Sequence, residues 1–433
     1  MPFEDVHMPA GDKSIAIIGG GISGLAAAYY LAPQARVTLF EAENRLGGHA
    51  RTIMAGRRRE TPVDTGFMVF NDQNYPLLNA LFDDLDVPAK PTNMSFAVSL
   101  DGGKFEYGLH NPKRLFADPT NIMRPEFWGM LCDIIRFNRH AEDFIERQEM
   151  TLGETLDTMK LSRAFRERYL FPLAGAIWST PVQKMLEFPA ATLIRFFKNH
   201  SLLSATNNPR WRTVDGGSRE YVARLEKRLR EHGCDVRTGA PVEIVARAKA
   251  GVIVKTGGAE PENFDEVIFA CHSDQALALL GDASPGENEI LGAMRYRPNR
   301  VFLHSDERMM PRRKACWSAW NYLGAENDDA PNNSFTYWMN LLQGLPEDEE
   351  IFVSLNPVAP VREELIYDET VLSHPVFDLP ALNAQKRLHE IQGIHNTWFC
   401  GAYARYGFHE DGINSAASVV NLINNKIALD VAA

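Results

Sequence analysis

The chain has 433 residues, enough for two or three domains or for one large α/β unit carrying a second, inserted domain. Its 45% hydrophobic and 23% charged residues exclude a disordered or fibrous protein. Lys+Arg 45 against Asp+Glu 56 gives a net charge of −11, which leaves no global basic field to displace counterions from phosphates and excludes nucleic acid as a partner. Five scattered cysteines (Cys132, Cys234, Cys271, Cys316, Cys400) form no CxxC pair; they fit free thiols in a reducing compartment rather than a disulfide scaffold or a zinc ribbon. The apolar stretch Ile15–Ala32 follows Lys13, but Gly19, Gly20, Gly21 and Gly24 interrupt it and acidic Glu4 and Asp12 precede it, unlike a signal peptide. No other run reaches the roughly 18 apolar residues of a spanning helix, so the expected location is the cytoplasm.

Ser14–Ile18 reads as a buried strand, Ile22–Leu31 as an alanine-rich helix stopped by Pro33, and Val37–Phe40 as a second strand ending at Glu41. Between strand and helix stands the dinucleotide fingerprint Gly19-Gly20-Gly21-Ile22-Ser23-Gly24. Gly19 permits the tight turn, Gly21 lets a pyrophosphate approach the backbone, and Gly24 lets the helix lie close to the strand. The amides of the helix start, at Ile22 and Ser23, would face the phosphates. Glu41 can accept hydrogen bonds from a ribose diol, with Ala42 beside it, and a carboxylate there disfavours a 2′-phosphate.

Farther on, Phe165–Thr180 and Phe188–Leu203 are apolar, Phe-rich and helix-compatible. Asp215-Gly-Gly-Ser218 opens an amphipathic helix at Arg219–Glu231, with Ser218 as the expected N-cap and Gly233 as its stop. Val242–Arg247, Val252–Thr256 and Glu266–Ala270 are strand-like. Trp317-Ser-Ala-Trp320-Asn-Tyr322 and Thr336-Tyr337-Trp338 are aromatic strands that pack a core or line a pocket. Arg308-Met-Met-Pro-Arg-Arg-Lys314 is a basic loop with two methionines expected at the surface. It is either a solvated loop or a docking site for anionic headgroups, and Arg57-Arg58-Arg59 invites the same two readings. Thr397–Tyr403 and Gly407–Ala416 read as strand, loop and helix start. No metal-ligand spacing and no nucleophile motif is present; lone histidines such as His110, His200 and His272 read as structural.

The run Glu41-Ala-Glu-Asn-Arg45-Leu-Gly47-Gly48-His49 resembles the ExxxRxGG extension of FAD enzymes in the flavin amine oxidase and phytoene desaturase superfamily. The resemblance implies a Rossmann-like, α/β FAD-binding domain built from 12–75, 210–275 and 395–430. An interleaved α+β substrate domain would take 76–209 and 276–394. It implies non-covalent FAD, with Arg45, Gly47, Gly48 and His49 on the pyrophosphate and ring side and the backbone of Val242 beside the adenine. Gly401 and Ala402 would meet the ribityl chain, and Gly412 and Ile413 the ring. Ala402 replaces the acid that many members carry, which leaves Glu410 or Asp411 to supply the carboxylate. Tyr403, Arg405, Tyr406 and His409 would approach the flavin. Arg300 stands where amine oxidases commonly place a lysine, and Trp178, Trp317, Trp320, Tyr337 and Trp338 would form the substrate pocket.

Ala174–Thr180, Trp211–Ser218 and Gly407–Gly412 resemble a bacterial group of FAD-binding oxidoreductases associated with cyclopropane-fatty-acyl synthase-like lipid methyltransferases. That implies a lipid substrate. The reaction would desaturate a methylated, unsaturated, phospholipid-bound acyl chain on the way to furan fatty acids, in contact with a membrane surface and with a methyltransferase partner. Oxidation of a small amine or polyamine is the alternative chemistry. A non-catalytic flavin-binding partner of a lipid-modifying enzyme is the alternative class.

Overall fold

The computed structural model describes residues 13–109, 111–147, 150–178, 185–199, 202–203, 209–248, 251–325, 334–346 and 348–432. Strand β1 (Ser14–Ile18) pairs in parallel with β2 (Arg36–Phe40) on one side and with Glu266–Phe269 on the other. Asp235–Arg237 and Thr397–Phe399 complete a five-stranded parallel sheet, so three distant stretches of chain meet in one layer. Alternation along β1 decides its two faces: Ile15 and Ile17 enter one core, Ala16 and Ile18 the other. On the first face pack helix α1 (Ile22–Leu31), the Arg219–Glu231 helix and the last helix, His409–Ala432, through Leu25, Leu225 and Val419. The second face is covered by an antiparallel meander (Val242–Ala248, Gly251–Thr256, Glu262–Phe264) and by the helices Ser273–Leu279, Pro285–Gly292 and Leu379–Arg387.

A seven-stranded sheet forms the other half of the structure. Its order is Ile366–Pro375, Tyr296–His304, Phe352–Leu355, Ser334–Trp338, Trp320–Gly324, Phe96–Leu100 and Phe105–Gly108. All neighbours are antiparallel except Trp320–Gly324 with Phe96–Leu100. The helices Pro125–His140, Leu152–Thr158 and Ala190–Asn199 bury Phe127, Phe137, Leu156, Phe196 and Phe197 in the same core as Val98, Val301, Leu303 and Phe335.

Several expectations change. Leu78, Leu81, Ala276, Ile290, Ala381 and Ala384 lie in stretches assigned to the substrate domain, yet they pack in the cores of the parallel sheet. Gly233 ends its helix with φ +78°, as expected. Ser218 does not cap that helix: it has helical dihedrals, and its hydroxyl donates to Asp64 at 2.7 Å. The basic loop is not an exposed apolar tip. Met309 and Met310 are both buried, Arg313 is tied to Glu106 and Asp118, and Arg308 to Asp306. Among the described residues, no helix is long and apolar enough to cross a membrane.

Candidate functional site

A cavity of about 1770 Å³ runs between the two sheets. The parallel-sheet wall contributes Gly19, Gly21, Ile22, Ser23, Glu41, Ala42, Arg45, Gly47, Gly48, His49, Val242, Gly401 and Ala402. Steric room sorts the glycines. A Cβ on Gly24 would lie 1.8 Å from Gly19 O, and one on Gly19 (φ +108°) 2.9 Å from Cys271 N, so both are required for backbone packing. A Cβ on Gly21 would meet nothing within 4 Å. Gly21 thus borders open space at the helix start, a cradle that a pyrophosphate fits and a side chain would fill. The second glycine turn docks on the first: Gly47 N–H donates to Gly20 O at 2.8 Å, and a Cβ on Gly48 would crowd Gly21 at 3.2 Å. Glu41 is fixed by backbone N–H groups of Gly20 (2.7 Å) and Glu43 (2.8 Å), which leaves its remaining lone pairs for a diol. Arg45 borders the cavity, but its guanidinium donates to Gly48 O (2.9 Å) and Ala50 O (3.2 Å), so it closes its own turn.

The C-terminal segment differs from the expectation in its acids. Glu410 accepts the N–H groups of Leu77 (2.9 Å) and Leu78 (3.0 Å), satisfying the start of the Pro76–Asp84 helix. Asp411 accepts those of Phe408 (3.0 Å) and Tyr406 (3.3 Å), and burial pushes it up to about 6. Neither borders the cavity, so neither replaces the acid missing at Ala402. Gly412 and Ile413 also stand behind the wall. A Cβ on Gly412 would sit 2.8 Å from Ser23 Oγ, and Ile413 is core.

Of the four catalytic candidates, two reach the cavity. Tyr403 is buried there with its hydroxyl unpartnered. His409 stacks on Phe67 (3.7 Å between centroids), with Nε2 3.0 Å from the Tyr221 hydroxyl. Arg405 is exposed and does not line the cavity. Arg300 projects outward, 64% exposed and paired with Glu369 at 2.6 Å, because its neighbours Val301 and Leu303 take the core. It cannot stand in for a lysine near a flavin. Register separates the aromatic candidates in the same way. Trp320 and Tyr337 are directly opposed, meet edge to face at 4.8 Å and line the cavity. Trp338 points to the other face and donates to Glu350, while Trp317 donates to Pro311 O and packs on Phe352; neither lines the cavity. The side chain of Trp178, like His110 and His200, lies outside the described residues.

Three further histidine contacts escape local patterns. His272, read as structural, lines the cavity with His374 and Tyr296, and its ring stacks on Tyr296 at 4.3 Å. His49 lies 5.8 Å from His272 and 5.6 Å from His374, centroid to centroid. Burial first, and then a neighbouring imidazole, lowers His49 and His272 to about 4 and His374 and His409 to about 3, so all four are neutral at pH 7. The His49 ring bonds the backbone of Ser373, and its buried Nε2 has no protein partner. Behind this wall, buried Asp64 accepts from Thr52 (2.6 Å), from the Ser218 hydroxyl and N–H, and from Gln343 Nε2 (2.9 Å). Burial outweighs these bonds and raises it to about 6. Among the described residues no cluster of three or more metal-ligating side chains occurs.

Residues 22–340, well over half of the chain, match the family described as flavin containing amine oxidoreductase. The coproporphyrinogen III oxidase of Staphylococcus aureus is 59% identical over 307 residues, covering 62% of this chain and 62% of that one. The chain spans less than two thirds of the length of the curated relatives it matches. A putative protoporphyrinogen oxidase from Exiguobacterium shares the fold at TM-score 0.70 and 18% identity, over 96% of this chain and 99% of that one. A fatty acid isomerase from P. acnes does so at TM-score 0.65 and 14% identity, over 96% and 98%. The family match, together with an open glycine cradle, a fixed Glu41 and a cavity large enough for a dinucleotide and a substrate, shows that this chain belongs to the flavin containing amine oxidoreductase family, with FAD as its cofactor.

Proposed function

We propose that the substrate is a fatty acyl chain, desaturated beside an existing double bond. One observation carries this reading. The cavity wall supplied by the seven-stranded sheet and its helices (Phe96, Ile134, Asn138, Tyr169, Leu173, Phe196, Trp320, Tyr337, Leu355) contains no carboxylate and no cationic side chain among its described residues. The carboxylates that border the cavity among the described residues, Glu41, Glu43 and Asp72, stand on other walls, so an ammonium group against this one has no adjacent counter-charge, whereas a methylene chain gains from burial.

FAD held by the Gly19–Gly24 turn, Glu41 and the Gly47-Gly48 turn would supply the hydride acceptor for a weakened allylic C–H. The apolar wall aligns the chain and excludes water. Loss of the adjoining hydrogen as a proton completes the new double bond, and His49 Nε2, neutral and unpartnered, accepts it. With a methylated unsaturated chain the product is a conjugated diene, the precursor type for a furan ring.

Anaerobic titration of the yellow protein tests the reading. Methylated unsaturated phospholipid in detergent should bleach the flavin, and an amine panel should not. Bleaching by amines alone would establish the amine reading. Bleaching by neither would assign the chain an accessory role.

A further inference from the structure

The helix Pro125–His140 and the turn before it carry an uncovered apolar surface. Ile122 (51%), Met123 (82%), Trp128 (46%) and Ile135 (58%) are exposed large apolar side chains within fourteen residues of chain. At 100° per residue, Trp128, Leu131 and Ile135 form one stripe with Cys132 and Arg139. The adjoining stripe, Ile134 and Asn138, lines the cavity, while Phe127, Met130 and Phe137 enter the core. The exposed apolar stripe is therefore continuous, around one helix, with the cavity wall.

Charge is arranged to match. Of the cations in residues 104–139, Lys104, Lys113 and Arg139 are exposed, while Arg124 lies 3.9 Å from Asp118, Arg136 lies 3.5 Å from Asp133 and Arg114 is half-buried. Of the acids in that stretch, Glu106, Asp118 and Asp133 are buried, and Glu126 pairs with Arg168 at 2.9 Å. Beyond the end of the helix, Glu142 pairs with Lys198, Asp143 lies 3.5 Å from His140 Nδ1, and Glu146 is exposed. A local basic rim around projecting apolar side chains, on a chain of net −11, has the chemistry of an interfacial surface.

We infer that this face docks on an anionic phospholipid membrane. Met123 and Ile122 enter the acyl region, and the basic rim meets the headgroups. The docking takes the place of the one expected at Arg308–Lys314, whose methionines are buried. Its purpose rests on the acyl-chain reading; its physical basis does not.

The test sediments FAD-loaded full-length protein with vesicles of phosphatidylglycerol and phosphatidylcholine, and with phosphatidylcholine alone. Salt-sensitive binding to the anionic vesicles is expected, lowered about tenfold or more in Met123→Asp/Ile135→Asp with flavin absorbance retained. Arg57→Glu/Arg58→Glu, on an exposed hairpin turn, should bind as the unaltered protein does. The inference is overturned if the protein ignores anionic vesicles or if the aspartate variant binds them equally. It is also overturned if that variant instead disperses a concentration-dependent dimer, which would assign the face to a second copy. Bleaching by detergent-dispersed lipid should survive in the variant and fail only with vesicles. Vesicle binding without any bleaching would leave the docking intact and sink the acyl-chain reading.

Discussion

On the parallel-sheet wall of the cavity, a methyl group at Gly24 would lie 1.8 Å from a backbone oxygen, and one at Gly21 would hang in open space. On the opposite wall, Phe196, Leu173 and Tyr169 are set by packing around a sheet whose strands come from residues 96 to 375. The first wall is shaped mostly by backbone geometry between Gly19 and His49, with Val242, Gly401 and Ala402 added from two later stretches. The second is shaped by side chains brought together over hundreds of residues. A nucleotide asks for the same geometry in any member of such a family; a substrate does not.

The sharpest way to break this contrast is at the glycines. Gly24→Val should abolish soluble, folded protein, since helix and strand must separate by ångströms. Gly21→Val should fold with native circular dichroism but retain little FAD, a loss of tenfold or more in affinity on the order of 1.4 kcal/mol. Equal behaviour of the two, judged by flavin-to-protein absorbance, would dissolve the distinction between packing and cradle.

Acidification probes the seam between the walls. His49, His272, His304, His374 and His409 have folded values of about 3 to 4, below the ordinary 6.5. The stability they contribute is present above 6.5 and lost as pH falls toward those values. Asp64 and Asp411, raised to about 6, act in the opposite sense: their contribution is present below the ordinary 3.8 and lost as pH rises through 6. The five histidines outweigh these two and Glu410, likewise raised by burial, so the melting temperature should fall between pH 6.5 and 4.5. A rise over that range would contradict the burial of the histidines.

Phe196→Ala, on the substrate wall, should cost about 3 kcal/mol in denaturant unfolding while leaving FAD content unchanged. His49→Gln should keep FAD and slow substrate-driven bleaching by roughly a hundredfold, with a changed pH profile. Unchanged bleaching would remove His49 from proton transfer. The smallest effect belongs to Arg300→Ala: stability within about 0.5 kcal/mol and kinetics unaltered, as its exposed pair with Glu369 implies.

The same contrast explains what could be read from residues alone. The strand, glycine turn, helix and Glu41 were legible because each rests on local spacing, and the family resemblance extended them to FAD. Glu410 and Asp411 misled, because an acid at a helix start satisfies nearby backbone N–H groups as readily as it meets a ligand. Arg300 misled because a one-residue shift in alternation turns a strand residue from cavity to solvent. His272 and His374 carry no local signal at all, since their neighbour His49 lies more than two hundred residues away in sequence. Met309 and Met310 looked like a surface tip until ion pairs at Arg308 and Arg313 closed the loop over them.

Asp64, in the antiparallel hairpin of Thr52–Ala55 with Thr61–Asp64, bonds at once to Thr52 across that hairpin, to the head of the Arg219–Glu231 helix at Ser218, and to Gln343 beyond the aromatic sheet. A carboxylate shared among three such partners acts as a rivet rather than a hinge. Neither half can swing away or melt without stranding it, so the whole molecule should give a single calorimetric transition, and access to the cavity must come from motions at its rim instead of from separation of its walls.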